Sequence, residues 1–193
     1  MDKSKLIELS VESNEEVIYP FIWINGEETE LTVKVDLLGD NASFLLCALF
    51  LGSNENKIIF NTDITHIGKN TKSLTTMRAV FFDNSSFSND GTIRINKGAK
   101  NTDGYFQSKV LLFDDAKGRS VPSLEIDENE VKAGHGSTIG RPDQNQLFYL
   151  RSRGLSEKEA EALIVSGFFD PIIKLLPLEK QHISRSKIKN FLG

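Results

Sequence analysis

GKNTKSLTTMRAVFFD, residues 68–83, lies without gaps on AKNTDGYFQSKVLLFD, residues 99–114, an offset of 31 positions. Lys-Asn-Thr and Phe-Asp coincide, and Arg78/Lys109, Ala79/Val110 and Val80/Leu111 are similar pairs. A period between 20 and 50 residues marks stacked supersecondary units. These units are rich in β-branched and aromatic residues, with Asn and Gly between them, so each is strand plus turn and not a helix pair. Stacked strand-turn units of this length point to a parallel β-helix, in which each coil buries its inward side chains against the coils above and below. Two hairpins of chance similarity are the alternative.

The flanking sequence agrees with strands. Residues 30–38 alternate, with Leu31, Val33, Val35 and Leu37 on one face and Thr32, Lys34 and Asp36 on the other. Residues 17–24 (VIYPFIWI) are almost wholly apolar but carry Pro20, which predicts an edge strand or a bend. Asn25-Gly26 signals a turn. The apolar runs 45–51 and 57–60, bounded by Gly39, Asp40, Gly52, Ser53 and Asn54, suit strands buried on both faces.

After Gly140 the pattern becomes helical. Pro142 suits a first helical turn and Gly154 a helix stop. Ser156 and Glu159 have capping-box spacing ahead of Ala160, Leu163, Ile164 and Phe168. Asp170-Pro171 is expected to restart the chain, Pro177 to break it, and residues 182–192 to form a last amphipathic helix. The predicted organisation is N-terminal strands over 1–34, able to cap the coil, a parallel β-helix core over 35–141, and a helical segment over 142–193.

Composition excludes several functions. The net charge of −4 gives no electrostatic case for nucleic acid or an anionic membrane. Residues 44–51 are the most apolar run and are far too short to span a bilayer. The start, MDKSKLIELS, lacks a signal-peptide h-region, and the single cysteine, Cys47, permits no intrachain disulfide. Together these favour the cytoplasm. No Walker-type loop, CxxC, HExxH or GxSxG occurs, so a preformed metal centre or a nucleophile elbow within one chain is not expected.

His135, between Gly134 and Gly136, is the residue to single out. On an alternating strand it shares a face with Val131 and Ala133. A packed histidine at a strand end is the plain interpretation. The functional one is a neutral imidazole offered to iron, or a hydrogen-bonding group at a subunit junction, with flanking glycines that let another backbone approach. Cys47, between Leu46 and Ala48, is expected to be buried and inert. His66 is expected to be structural. His182 lies among Lys180, Arg185, Lys187 and Lys189 on a solvated basic face. Arg151 and Arg153 suit either a partner's carboxylate or phosphate or a local salt bridge.

The segment 125–154, EIDENEVKAGHGSTIGRPDQNQLFYLRSRG, resembles the C-terminal signature of the SufB/SufD family of iron–sulfur cluster assembly scaffolds, on its SufD side. Further elements agree: Leu37-Leu38-Gly39-Asp40-Asn41-Ala42, His66 followed by Thr71-Lys72-Ser73, Gly98-Ala99-Lys100-Asn101-Thr102-Asp103, and Leu124-Glu125-Ile126. The resemblance runs from about Val35 to Phe169. It implies a right-handed parallel β-helix with a C-terminal helical segment, and a scaffold, not an enzyme. It implies pairing through the β-helix with a SufB-like partner or a second copy, with His135 at the junction. It also implies a SufC-type ABC ATPase bound through the C-terminal helices, for which Phe148, Arg151, Arg153 and Phe168 are the contact candidates. No cofactor is expected to be held stably by one chain; a transient iron–sulfur cluster at a subunit interface, with His135 as a ligand, is the metal expectation. Two departures stand out. Ser108 occupies the position where the SufB type carries a cysteine, and the chain is short, without the family's usual N-terminal helical region. A self-assembling β-helix that stacks end to end is the structural alternative. A polysaccharide lyase or hydrolase is the enzymatic one, weakened because the acidic runs 114–115 and 125–130 fit solvated turns.

Overall fold

The computed structural model describes residues 4–27 and 29–193. Among the described residues, ten strands alternate between two sheets: β1 (Ser4–Val11), β2 (Glu16–Ile24), β3 (Glu30–Leu37), β4 (Ser43–Gly52), β5 (Lys57–His66), β6 (Lys72–Phe81), β7 (Ser86–Ile95), β8 (Asp103–Leu112), β9 (Lys117–Ile126) and β10 (Lys132–Gly140). Odd strands make one five-stranded sheet in the order β1-β3-β5-β7-β9, and even strands make the other, β10-β8-β6-β4-β2. Every pair is parallel. The chain therefore winds as a β-helix of about five coils, as its repeat predicts. The gapless alignment of the two repeats is the physical register: Lys72 pairs with Asp103, Arg78 with Lys109 and Phe81 with Leu112.

The identities in the repeat have a backbone cause. Between odd and even strands, Asn14, Asn41, Asn70 and Asn101 hold φ of 61°, 62°, 55° and 58°. Between even and odd strands, Asn54, Asp83 and Asp114 hold 58°, 56° and 45°. Asn and Asp are the side chains that tolerate this left-handed conformation best. They also join one coil to the next. Asn41 Nδ2 donates to Asn14 Oδ1 at 3.0 Å, and Asn101 Nδ2 to Asn70 Oδ1 at 3.1 Å. The Asn54 N–H donates to Asp83 Oδ2 at 2.7 Å, and the Asp83 N–H to Asp114 Oδ2 at 3.1 Å.

The lumen is apolar and largely aromatic. Phe50 touches Phe21, Phe60 and Phe87 at centroid distances of 5.6, 4.8 and 4.9 Å, and Phe81 continues the stack to Trp23 at 6.0 Å. β4 is buried on both faces, as its continuous apolar run predicts. Phe44, Leu46, Ala48 and Phe50 point into the lumen, while Cys47, Leu49 and Leu51 lie in a second core. Helices α1 (Gln144–Ser152), α2 (Glu157–Ile173) and α3 (Leu178–Leu192) follow the coil, and Val165, Phe169, Ile172, Ile173, Leu176 and Ile188 close that second core over the even sheet. The outer face of the odd sheet is polar and carries charge ladders such as Asp63–Arg94–Glu125.

Three helix expectations change. Pro142 lies outside α1, whose N-cap is Asp143 accepting from the Asn145 N–H. α2 runs through Asp170-Pro171 without a restart. Pro171 is in the last turn, where the carbonyl it cannot serve belongs to the exposed Gly167. α3 begins at Leu178, directly after its N-cap Pro177, and not at His182. The capping box of Ser156 and Glu159 is formed as expected.

Candidate functional site at the open end of the coil

A coil ends in strands paired on one side only: β1 and β2 at one end, β9 and β10 at the other. In a parallel ladder, successive residues direct their N–H and C=O to opposite neighbours. The Asn25 N–H donates to Leu51 C=O, so odd residues of β2 face β4, and Pro20 turns its nitrogen to the open edge. Lys117 donates to Ser85 and Asp127 to Ile95, so odd residues of β9 face β7, and Pro122 also turns outward. Each proline removes a donor from an edge at no internal cost, a known way of blunting strand addition. β1 is blunted differently, with Lys5 in register with Leu31 and so on the lumen face.

β10 is the exception. Lys132 N–H donates to Thr102 C=O at 2.8 Å, so even residues serve β8. Ala133, His135, Ser137 and Ile139 direct their N–H and C=O groups away from the coil, and no proline interrupts them. Gly134 is tightly packed, since a Cβ there would meet the Tyr105 ring at 2.8 Å, whereas one on Gly136 would make only an ordinary contact, 3.5 Å from the Tyr105 hydroxyl. His135 is exposed, in register with Phe106 on the lumen side. Ser108 is buried one rung below Ser137. The sequence candidates His135 and Ser108 therefore meet in adjacent rungs at the same end. Among the described residues, no group of three or more His, Cys, Asp or Glu side chains could hold a metal ion, so a metal bound by His135 needs ligands from another molecule.

His66 is structural. It is buried, with Nδ1 at 2.8 Å from Thr71 Oγ1 and Nε2 at 2.8 Å from Ser73 Oγ. Thr102 gives its one proton to Ala99 C=O at 2.8 Å, so Thr71 is the donor in the 3.0 Å Thr71–Thr102 contact. Thr71 then accepts from His66 Nδ1–H, and Ser73 donates to Nε2. Burial pushes the imidazole down to about 4, so the ring is neutral at pH 7. Cys47 is buried, and burial pushes its thiol up to about 11, which makes it unreactive. His182 is exposed on α3.

The helical candidates separate into two groups. Phe148 is 74% exposed on α1. Near it, Arg151 lies 3.9 Å from Glu157, and the Arg153 guanidinium stacks over Tyr149 at 5.2 Å. Phe168 instead lines a groove of about 680 Å³ between α1 and α2, with Tyr149, Leu150, Leu163 and Ile164. Its carbonyl accepts from Arg78, whose guanidinium also lies 5.0 Å over the Phe168 ring. Arg78 is the residue that sequence reasoning passes over. Its only signal is a cation recurring at an outward mid-strand position, Arg78 and Lys109, in an otherwise apolar stretch.

Comparison with known proteins bears on this geometry. The family model described as "SUF system FeS cluster assembly, SufBD core domain" matches residues 8–168, reaching into β1, well before the motif resemblance that begins at Val35. The iron–sulfur cluster assembly protein SufD of Bacillus subtilis (strain 168) is 34% identical over 157 residues, covering 81% of this chain and 36% of that protein. A SufBD family iron–sulfur cluster assembly protein of Mycobacterium tuberculosis (strain ATCC 25618 / H37Rv) is 33% identical over 162 residues, 83% of this chain and 18% of that protein. One from Pyrococcus horikoshii is 29% identical over 167 residues, 86% of this chain and 37% of that protein. The chain thus spans little more than a third, or less, of the length of these relatives. With the family profile running from within β1 through all the strands that follow and into α2, the chain belongs to the SufBD family of iron–sulfur cluster assembly proteins.

Proposed function

We propose that this chain is a non-catalytic scaffold subunit of cytoplasmic iron–sulfur cluster assembly, pairing through its β-helix and binding a SufC-type ABC ATPase through its C-terminal helices. The observation that carries the pairing is the uninterrupted edge of β10. Four residues there offer free backbone donors and acceptors, and an exposed histidine sits among them. An antiparallel partner strand centred on Gly136 uses all four: His135 then faces the partner position one residue beyond the axis, and a glycine at the axis allows the close approach of a non-hydrogen-bonded pair. The partner is a SufB-like chain or a second copy. The cluster is cargo, held transiently at this junction. His135 supplies an imidazole and the partner supplies the remaining ligands, since Ser108 here brings no thiolate. The exposed Phe148 with Arg151 and Arg153 is the apolar and cationic surface offered to the ATPase. ATP-driven motion of the helices then reaches the junction through the even sheet, on which α2 is packed and to which Arg78 ties it.

End-to-end stacking into filaments fits less well. That contact sets β9 on β1 and β10 on β2, and Pro122 and Pro20 each remove a donor from one of these junctions. The test is affinity purification of the tagged full chain from its host under anaerobic conditions. The proposal expects an ABC-type ATPase and a second SufBD-type chain to co-purify, the ATPase being lost on deleting residues 142–193. Recovery of the chain alone, or as a polymer without an ATPase, overturns it.

A further inference from the structure

One polar cluster inside the coil is left incomplete by the protein. Asn89 on β7 and Ser108 on β8 face each other across the lumen, both buried, and their only mutual contact is 3.4 Å between Ser108 Oγ and Asn89 Oδ1. Asn89 Nδ2 has no partner among the described residues. Ser120, stacked on Asn89 in the next rung, has a buried hydroxyl that is equally without one. Turning the amide over only exchanges which of its ends is unpaired. Buried polar groups in folded proteins are almost always satisfied, by protein or by ordered water. The contrast within the same lumen is direct: His66, Thr71, Ser73 and Thr102 are all satisfied by one another. The hydroxyls of Thr62 and Thr75 are also unpartnered, but the rung above them is filled, since the Phe106 ring occupies the space a Cβ on Gly91 would need, 2.1 Å away.

We propose that Asn89, Ser108 and Ser120 form a binding site for one ordered water molecule in the last closed layer of the coil. The ligand must be small and must both donate and accept, because a hydroxyl and either end of an amide are what it meets. Water meets both demands. Ser137 lies directly above Ser108, on the lumen face that also carries His135. The water therefore extends the polar mouth one rung inward, whereas the opposite end is lined by apolar side chains. The site is complete within one chain and does not depend on pairing or on the cluster.

The test is a high-resolution crystal structure of the full chain and of Asn89→Leu, with thermal denaturation of both. The proposal expects a density peak within hydrogen-bond distance, about 2.7–3.2 Å, of the Asn89 amide and Ser120 Oγ. It also expects a lower Tm for Asn89→Leu, because the two serines then lose their shared partner. No peak, together with a higher Tm for Asn89→Leu, overturns it, since that is what removing an unpaired amide from a dry core does. Should Asn89→Leu fail to fold, water-exchange cross-peaks to the Asn89 side-chain amide in the unmodified protein decide: their presence supports the site, and their absence overturns it.

Discussion

The two ends of this coil are built on the same plan and finished differently. At the β1/β2 end the lumen is closed by Ile7, Leu9, Val17, Tyr19 and Phe21, all packed against the aromatic core. At the β9/β10 end the lumen carries Ser120, Ser137 and His135 over Asn89 and Ser108. The edges differ in parallel: Pro20 blunts β2 and Pro122 blunts β9, while β10 keeps every outward donor. In a solenoid, then, the repeat sets the architecture, and a few residues on the terminal rungs decide which end can be joined to something else. The apolar end completes the core, and the polar end is the one we propose is joined to a partner.

That division can be broken or sharpened by substitution. The largest effect is expected from Phe50→Ala, one rung inside the apolar end, which removes the hub of three ring contacts. It should cost about 3–5 kcal/mol in urea denaturation. Ser108→Ala, one rung inside the other end, should cost about 1 kcal/mol or less. Equal losses would mean that the two ends are energetically alike.

The next effect comes from the buried histidine of the lumen, His66. Because the His66 pKa is held down to about 4 in the fold, against an ordinary value of about 6.5, the unfolded chain binds more protons between those limits. Stability is full above about pH 6.5 and falls as the pH drops towards 4, by about 3 kcal/mol in all. Denaturation midpoints against pH should show this slope, and His66→Gln should flatten it. A slope that survives His66→Gln would locate the titration elsewhere.

The edge itself is probed by two neighbouring prolines. Thr138→Pro removes a donor that serves β8 and should destabilise the chain by roughly 1–3 kcal/mol. Ser137→Pro removes only an outward donor, so the fold should persist while pairing affinity drops by about tenfold or more. Sedimentation of both variants checks the contrast. Gly136→Cys refines it: an oxidised disulfide dimer would identify a second copy as the partner, and its absence a different chain. The smallest effect is expected from Pro20→Val, which restores one donor on β2. It should leave stability within about 0.5 kcal/mol but increase self-association on standing, measured by light scattering.

Much of this was legible from residues whose physics is local. The register of β6 on β8 could be read because Asn70 and Asn101 must both take a left-handed conformation and Lys-Asn-Thr therefore recurs. Pro20 announced an edge strand, and β2 is one. The continuous apolar run of β4 announced burial on both faces. The misses are non-local or concern competition at helix ends. Pro142 lost the first turn because the Asp143 side chain supplies a better cap. Asp170-Pro171 was expected to restart the chain, but Pro171 falls in the last turn of α2, where the sacrificed bond faces solvent. The link from Arg78 to Phe168 joins residues 90 positions apart, and no local pattern encodes it. The exposure of the β10 edge was hidden for a related reason, since which half of a strand's donors is free depends on which side its neighbour lies.

The coils are not equal in length. Glu16 stacks on Ser43, Ser43 on Lys72, Lys72 on Asp103 and Asp103 on Lys132, so successive spacings are 27, 29, 31 and 29 residues, yet no strand slips in register. The surplus is taken up in the corners, most visibly around Gly98, where a side chain would meet open space. A strand cannot absorb such changes, because one extra residue there would turn its lumen face outward. The fold therefore keeps time by strands and not by residues. A label or an affinity tag spliced into the 96–100 corner would ride outside the coil and leave the same side chains threaded through its interior.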